Sequence, residues 1–195
     1  MRDKACEGAA MYVKPSMIPA DYHERMQIFH AITRPLEDVT VSEICRTCGI
    51  SRKKFYALFS SKYEVTHWYL DFCFSVSLYE IGRTLTWHEG IAVCLELVKE
   101  ERAFFLADYR NFVSKSRSYY WPLDGKRKEA MLETLRLHGI SECSARLQLE
   151  IALYSQLVPD LIRYWLQSDE FEDADEYALL WEDCVPRELH AALEL

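Results

Sequence analysis

The chain has 195 residues, half of them hydrophobic, which is enough for one large domain or a small module joined to a larger one. Only six glycines and six prolines are present, and no run alternates Val, Ile and Thr, so a sheet protein is disfavoured and an all-α one favoured. The net charge of −8 argues against nucleic acid on average, but residues 1–65 hold ten Lys/Arg against eight Asp/Glu, and residues 66–195 hold thirteen against twenty-three. A mildly basic head on an acidic body is compatible with DNA binding by the head alone.

Residues 1–20 read as a flexible arm, with Pro15 and Pro19 limiting structure. Its first ten residues carry Arg2, Asp3, Lys4 and Glu7 with no apolar core behind them, so no secretory signal is expected. No apolar stretch in the chain reaches the ~18 residues of a membrane span. The expected compartment is the cytoplasm. Seven cysteines, an odd number in a chain of this size, suit it better than a disulfide framework does.

Asp21 and Glu24 have capping-box spacing. The helix after them carries Met26, Phe29 and Ile32 and should stop near Arg34-Pro35. Thr40-Val-Ser-Glu43 is a second box and opens a short helix with Val41, Ile44, Cys45 and Cys48 on one face; Gly49 ends it. Ser51 caps a third helix with Phe55, Leu58 and Phe59 inward. Ser61-Lys-Tyr-Glu64 opens a long apolar helix expected to reach about Leu85. Later helices are predicted at 88–108, 110–120, 125–138, 143–167 and 173–183, with a short piece after Pro186 and a break at Trp121-Pro122-Leu123-Asp124-Gly125.

The spacing within 41–59 is informative. A small residue, Cys45, sits four before Gly49, and Ile44, Cys48, Ile50, Phe55 and Leu58 supply a shared core. Two short helices joined by a tight glycine turn need this arrangement. An ordinary helical hairpin and a DNA-binding helix-turn-helix both satisfy it. Ser51-Arg52-Lys53-Lys54 favours the second, because three cations at a helix start oppose the helix dipole. In a major groove the same cations contact guanine edges or phosphates.

Thr40-Val41, Ile44, Gly49-Ile50-Ser51, Phe55-Tyr56, Phe59, Ser61-Lys62 and Glu64 resemble the signature of the tetracycline-repressor (TetR) family of transcription regulators, over about residues 26–66. The segment from Leu157 to Leu189, with Trp165-Leu166 before an acidic helix, resembles more weakly the branch containing dihydroxyacetone-kinase-type regulators. The resemblance implies a three-helix helix-turn-helix DNA-binding domain at 21–65 and a helical ligand-sensing and dimerisation domain at 66–195. It implies phosphate contacts from Thr40, Tyr56 and Lys62, with Ser42, Arg46 and Ser51 beside the groove and Arg52, Lys53 and Lys54 reading it. Lys54 departs from the family, which usually has a small hydroxyl residue there, so base contacts do not carry over.

For the body, the resemblance implies a homodimer. The stripe Leu147, Ile151, Tyr154, Val158, Leu161, Ile162 and Trp165, with Tyr177, Leu180, Trp181 and Cys184 on a second helix, can pair with its symmetry copy. The same stripes can equally face their own core. Pro159 should kink or break the first helix. An unidentified small-molecule effector is implied, with Trp68, Phe72, Phe105, Tyr109 and Tyr119 as candidate pocket residues. The helix starting at Ser61, which joins head to body, is the expected hinge.

No enzyme signature is present: no nucleophile–base–acid pattern, glycine-rich phosphate loop or dinucleotide fingerprint, so no cofactor is expected. Cys45-Arg-Thr-Cys48 has zinc-like spacing but lacks a second ligand pair, so no metal is expected either. The acidic run from Asp169 to Glu176 lacks the order of a calcium loop. The expected function is a DNA-binding regulator, a repressor by family habit, that binds a near-palindromic operator as a homodimer and is released by its ligand. The alternative is a coactivator of the same fold that binds a partner protein through its acidic body.

Overall fold

The computed structural model describes residues 13–106, 116–168 and 173–194, with backbone alone for Pro15 and 116–122. Its helices are α1 (Tyr22–His30), α2 (Val41–Cys48), α3 (Arg52–Leu58), α4 (Lys62–Ser75), α5 (Trp87–Glu100), α6 (Ser116–Leu137), α7 (Ala145–Gln167), α8 (Ala174–Asp183) and α9 (Arg187–Ala192). A further helical stretch covers 102–106. Among the described residues there is no strand, and no helix is long and apolar enough to cross a membrane. The all-α class expected from composition holds.

The chain divides into two compact units. The first comprises the described residues of Met1–Phe72 and Glu101–Ser116, the second those of Cys73–Glu100 and Arg117–Leu195. In the first unit, residues 1–12 of the expected arm lie outside the described residues. The rest of the arm is not loose, since Val13 is buried and Pro15–Met17 forms a 3₁₀ turn. The core around α1 is aromatic. Phe29 stacks on Tyr69 at 4.5 Å and meets Phe104 at 4.3 Å, while Tyr22 lies 4.7 Å from Phe72. The Arg25 guanidinium covers Phe59 at 4.8 Å and Trp68 at 5.6 Å.

The expected capping boxes behave differently. Thr40 makes a complete one: its hydroxyl accepts the Glu43 amide at 3.2 Å and the Glu43 carboxylate accepts the Thr40 amide at 2.8 Å. Asp21 makes none. Its backbone (φ −94°, ψ 8°) is not the extended one an N-cap needs, and its carboxylate instead accepts from Arg25 Nε at 2.7 Å. At α4 the box is shifted, because Glu64 takes the amide of Ser60, at 2.5 Å. Helix α1 also ends at His30, earlier than Arg34.

Helix α4 stops at Ser75, ten residues short of expectation. Buried Ser77 leaves helical geometry (φ −138°, ψ −89°), and its hydroxyl donates to the Cys73 carbonyl. A 3₁₀ turn at Leu78–Glu80 and left-handed Gly82 (φ 74°) follow. A Cβ on Gly82 would lie 2.8 Å from the Leu193 carbonyl, so this approach needs glycine. Thr86 and Glu89 then form an unforeseen capping box at α5, with amide-to-side-chain bonds of 2.9 and 3.2 Å.

The second unit overturns two further expectations. Helix α6 runs without interruption through Pro122 and Gly125, where the sequence predicts a break. Asp124 holds that turn against α7: its carboxylate accepts from Lys128 and from the Ser155 hydroxyl, both at 2.6 Å. Helix α7 also continues past Pro159 as one helix of 23 residues. A proline at 159 has no amide for the Ser155 carbonyl. Buried Arg127 supplies the missing donors, with Nε at 3.2 Å and Nη2 at 3.0 Å from that oxygen.

Candidate functional site

The candidate interface is the outward surface of α2 and α3. Left-handed Gly49 (φ 69°) ends α2, and the Ile50 amide bonds back to the Cys45 carbonyl at 3.0 Å. Ser51 then caps α3 by accepting the Lys54 amide at 3.1 Å. Ile44, Cys45, Phe55 and Phe59 point inward and are buried. The registers of the two helices therefore send Thr40, Ser42, Arg46, Ser51, Arg52, Lys53, Lys54 and Tyr56 outward, and all eight are exposed.

Tyr56 is not a core tyrosine, being 49% exposed. The Arg52 guanidinium lies 5.9 Å from its ring centre. Lys54 pairs with Glu24 at 2.6 Å, but both partners are about half exposed, so the pair is weak and the ammonium is exchangeable. At the α2 start the anion position is already taken by Glu43. The Thr40 amide and then its hydroxyl hold that carboxyl below its usual range, and Arg34 sits 3.2 Å from it.

Lys62 departs from its expected role. Its ammonium is turned inward, donating to the carbonyls of Leu36 and of Val39, the latter at 2.8 Å. The Leu36 carbonyl, at the start of the 3₁₀ turn Leu36–Asp38, also accepts the Val39 amide at 3.4 Å, and Lys62 closes the loop before α2. Cys45 is buried between the helices, and the Cys48 thiol donates to the Ile44 carbonyl with burial pushing its pKa up. Neither is a poised nucleophile.

The effector candidates are placed differently from expectation. Phe72 and Phe105 are buried and Trp68 half-buried in the aromatic core of the first unit, where Trp68 stacks on Phe72 at 6.3 Å and Phe105 meets Tyr69 at 6.0 Å. They fill space rather than line it. Tyr109 and the Tyr119 side chain lie outside the described residues. The second unit holds a recess that sequence reasoning missed, walled by Trp87, Arg127, Met131, Thr134, Tyr154 and Val158 among others. A signal for it existed. Leu123, Arg127, Met131 and Leu135 recur every four residues, so Arg127 falls on the inward face of α6.

The expected dimer stripe also packs within the chain. Leu147, Ile151, Tyr154, Val158, Leu161, Ile162 and Trp165 are buried, as are Tyr177 and Trp181. Trp181 Nε1 donates to the Tyr154 hydroxyl at 3.0 Å and the Tyr177 hydroxyl to the Leu161 carbonyl at 2.8 Å, fastening α8 to α7. Helix periodicity located a buried face, and that face is covered by its own unit. The large apolar side chains left exposed on these helices are Leu149, Leu153 and Tyr164 on α7 and Leu179 and Leu180 on α8. Only Leu180 belongs to the expected set.

No protein-family model matches the chain, and no curated protein matches it either.

Proposed function

We propose that this chain is a cytoplasmic, DNA-binding transcription regulator of the TetR type, acting as a homodimer whose DNA affinity falls when a small molecule binds its second unit. One observation carries the reading. Arg52, Lys53 and Lys54 stand exposed at the start of α3, beyond a left-handed glycine turn, with exposed Tyr56 one turn later. Three cations at a helix start are unfavourable for the isolated helix and suit a phosphate backbone with accessible base edges. Arg46 and Ser42 on α2 extend the same outward surface. The head reads DNA and the acidic body repels it, which orients the encounter.

The dimer in this reading uses the outer faces of α7 and α8, through Leu149, Leu153, Tyr164, Leu179 and Leu180. Exposed leucines at this density on two adjacent helices mark an interaction surface. A second reading rests on the same patch: a partner protein rather than a second copy covers it, and the chain is a coactivator. Selection of genomic DNA fragments on the purified protein, at low and moderate salt, tests the first. Enrichment of a short inverted repeat that is lost as salt rises supports the dimeric regulator. No enrichment at either salt overturns it and leaves the partner-protein reading.

A further inference from the structure

We propose that the recess of the second unit binds a small organic monocarboxylate, with Arg127 and Tyr154 holding the charge and Trp87 and Met131 the carbon skeleton. The binding claim stands on the recess itself; its effect on DNA rests on the function proposed above.

Charge balance is the first argument. Asp124 is shared by two cations, Lys128 at 2.6 Å and Arg127 at 3.8 Å. One positive charge is left over where Arg127 is only 4% exposed. A buried cation in this position is stabilised by a further anion. Donor count is the second. Nε and Nη2 of Arg127 are committed to the Ser155 carbonyl, and Nη1 makes no hydrogen bond among the described residues. The Tyr154 hydroxyl accepts from Trp181, and its own proton has no acceptor among the described residues. Burial raises the pKa of this phenol, so it stays a donor. Two unused donors on residues lining one recess match the two oxygens of a carboxylate.

Size and polarity narrow the occupant. The recess gives a water-sized sphere about 20 Å³, room for about one water, and the empty space counted together with its opening to solvent is about 380 Å³. A carboxylate group can take the place of that one water, with a few apolar carbons directed to the opening. Trp87 lines the recess with carbon and offers no donor, because its ring stacks on His190 at 5.6 Å and its Nε1 is bound to the His190 carbonyl at 3.1 Å. Leu78, Ile81 and Val158 complete an apolar wall. A phosphate dianion is disfavoured, with a single spare charge to meet it.

The test titrates the full chain with isobutyrate and benzoate, against isobutyramide and benzamide, following Trp fluorescence and calorimetry. Saturable binding of one carboxylate per chain is expected, with the amides weaker by about tenfold or more, the value of one charge-assisted bond. Arg127→Met should abolish binding. Because that variant also bares the Ser155 carbonyl, Ala130→Leu provides the second arm: it fills the recess from α6, and should abolish binding without lowering Tm. Equal binding of acids and amides, no binding of either acid up to about 10 mM, or full binding by Ala130→Leu overturns the proposal. Carboxylate binding with no change in DNA affinity leaves the recess standing and removes its regulatory role. DNA selection without any carboxylate binding does the reverse.

Discussion

Arg127 and Ser155 are joined by two hydrogen bonds from one guanidinium to one carbonyl, at 3.2 and 3.0 Å, and the carbonyl is the one that Pro159 leaves without a helical donor. A helix interrupted chemically is thus made continuous by a neighbour. Arg127→Met should cost about 1–3 kcal/mol, the penalty of an unsatisfied buried carbonyl. Pro159→Ala restores the amide, so in that background the same change should cost about 1 kcal/mol less. Urea denaturation of the four proteins measures the coupling, and additive effects would refute the link.

Asp124 sits beside this pair and gives the second unit an acid sensitivity. Burial raises its pKa, but the bonds from Lys128 and Ser155 and the nearby Arg127 outweigh burial and lower it below its ordinary 3.8. A lowered folded pKa contributes stability that is complete above the unfolded value and is lost as pH falls through the folded one. Stability should therefore drop as pH falls below about 4, and Asp124→Asn should flatten that drop while being less stable than wild type at neutral pH. Denaturation at neutral and acid pH decides it; parallel curves for the two proteins would place the acid sensitivity elsewhere.

Two glycines with the same backbone hand should respond unequally to alanine. Gly49 (φ 69°) has open space where an added methyl would stand, so Gly49→Ala should cost only left-handed strain, about 1–2 kcal/mol. Gly82 (φ 74°) would add an approach of 2.8 Å to the Leu193 carbonyl and 3.0 Å to Thr134, so its alanine variant should lose clearly more. Tm values from calorimetry give the ranking, and equal losses would mean that the Leu193 segment yields.

The legible part of this chain is local. Thr40 and Glu43, Gly49 and Ser51 are read directly, because a cap or a left-handed turn depends on neighbours within four residues. Thr86 and Glu89 carry the same signature and are legible on the same grounds. What escapes depends on distant partners. Pro122 and Pro159 look like breaks until Asp124, Ser155 and Arg127 meet across α6 and α7. Lys62 looks like a phosphate ligand until the carbonyls of Leu36 and Val39, more than twenty residues earlier, claim it. Periodicity finds the buried side of α7 but is silent on whether its cover is its own unit or a second copy.

The outer face of α7 and α8 makes the oligomer testable. Leu153 is 55% exposed and Leu179 59%. If a second copy covers them, Leu153→Glu with Leu179→Glu should give a monomer by light scattering, while the far-ultraviolet spectrum stays unchanged. Tyr154→Phe and Trp181→Phe, on the inner face, should lower Tm and leave a dimer. A wild-type monomer at tens of micromolar would exclude the homodimer and turn attention to a partner protein.

Inward Lys62 and outward Arg52 and Lys54 should separate stability from the proposed DNA binding. Arg52→Ala with Lys54→Ala should leave stability within about 0.5 kcal/mol of wild type, since exposed side chains contribute little. The same variant should weaken binding to the selected DNA and flatten the salt dependence by about one unit for each phosphate no longer neutralised. Lys62→Met should behave in the opposite way. Without the donor for two carbonyls, the first unit should be less stable by about 1–3 kcal/mol, with the salt slope of the folded fraction unchanged. A flattened slope with an unchanged Tm would mean that Lys62 leaves those carbonyls for a phosphate. Wild-type affinity in the Arg52/Lys54 double variant would remove α3 from the DNA interface, and with it the strongest support for the regulator reading.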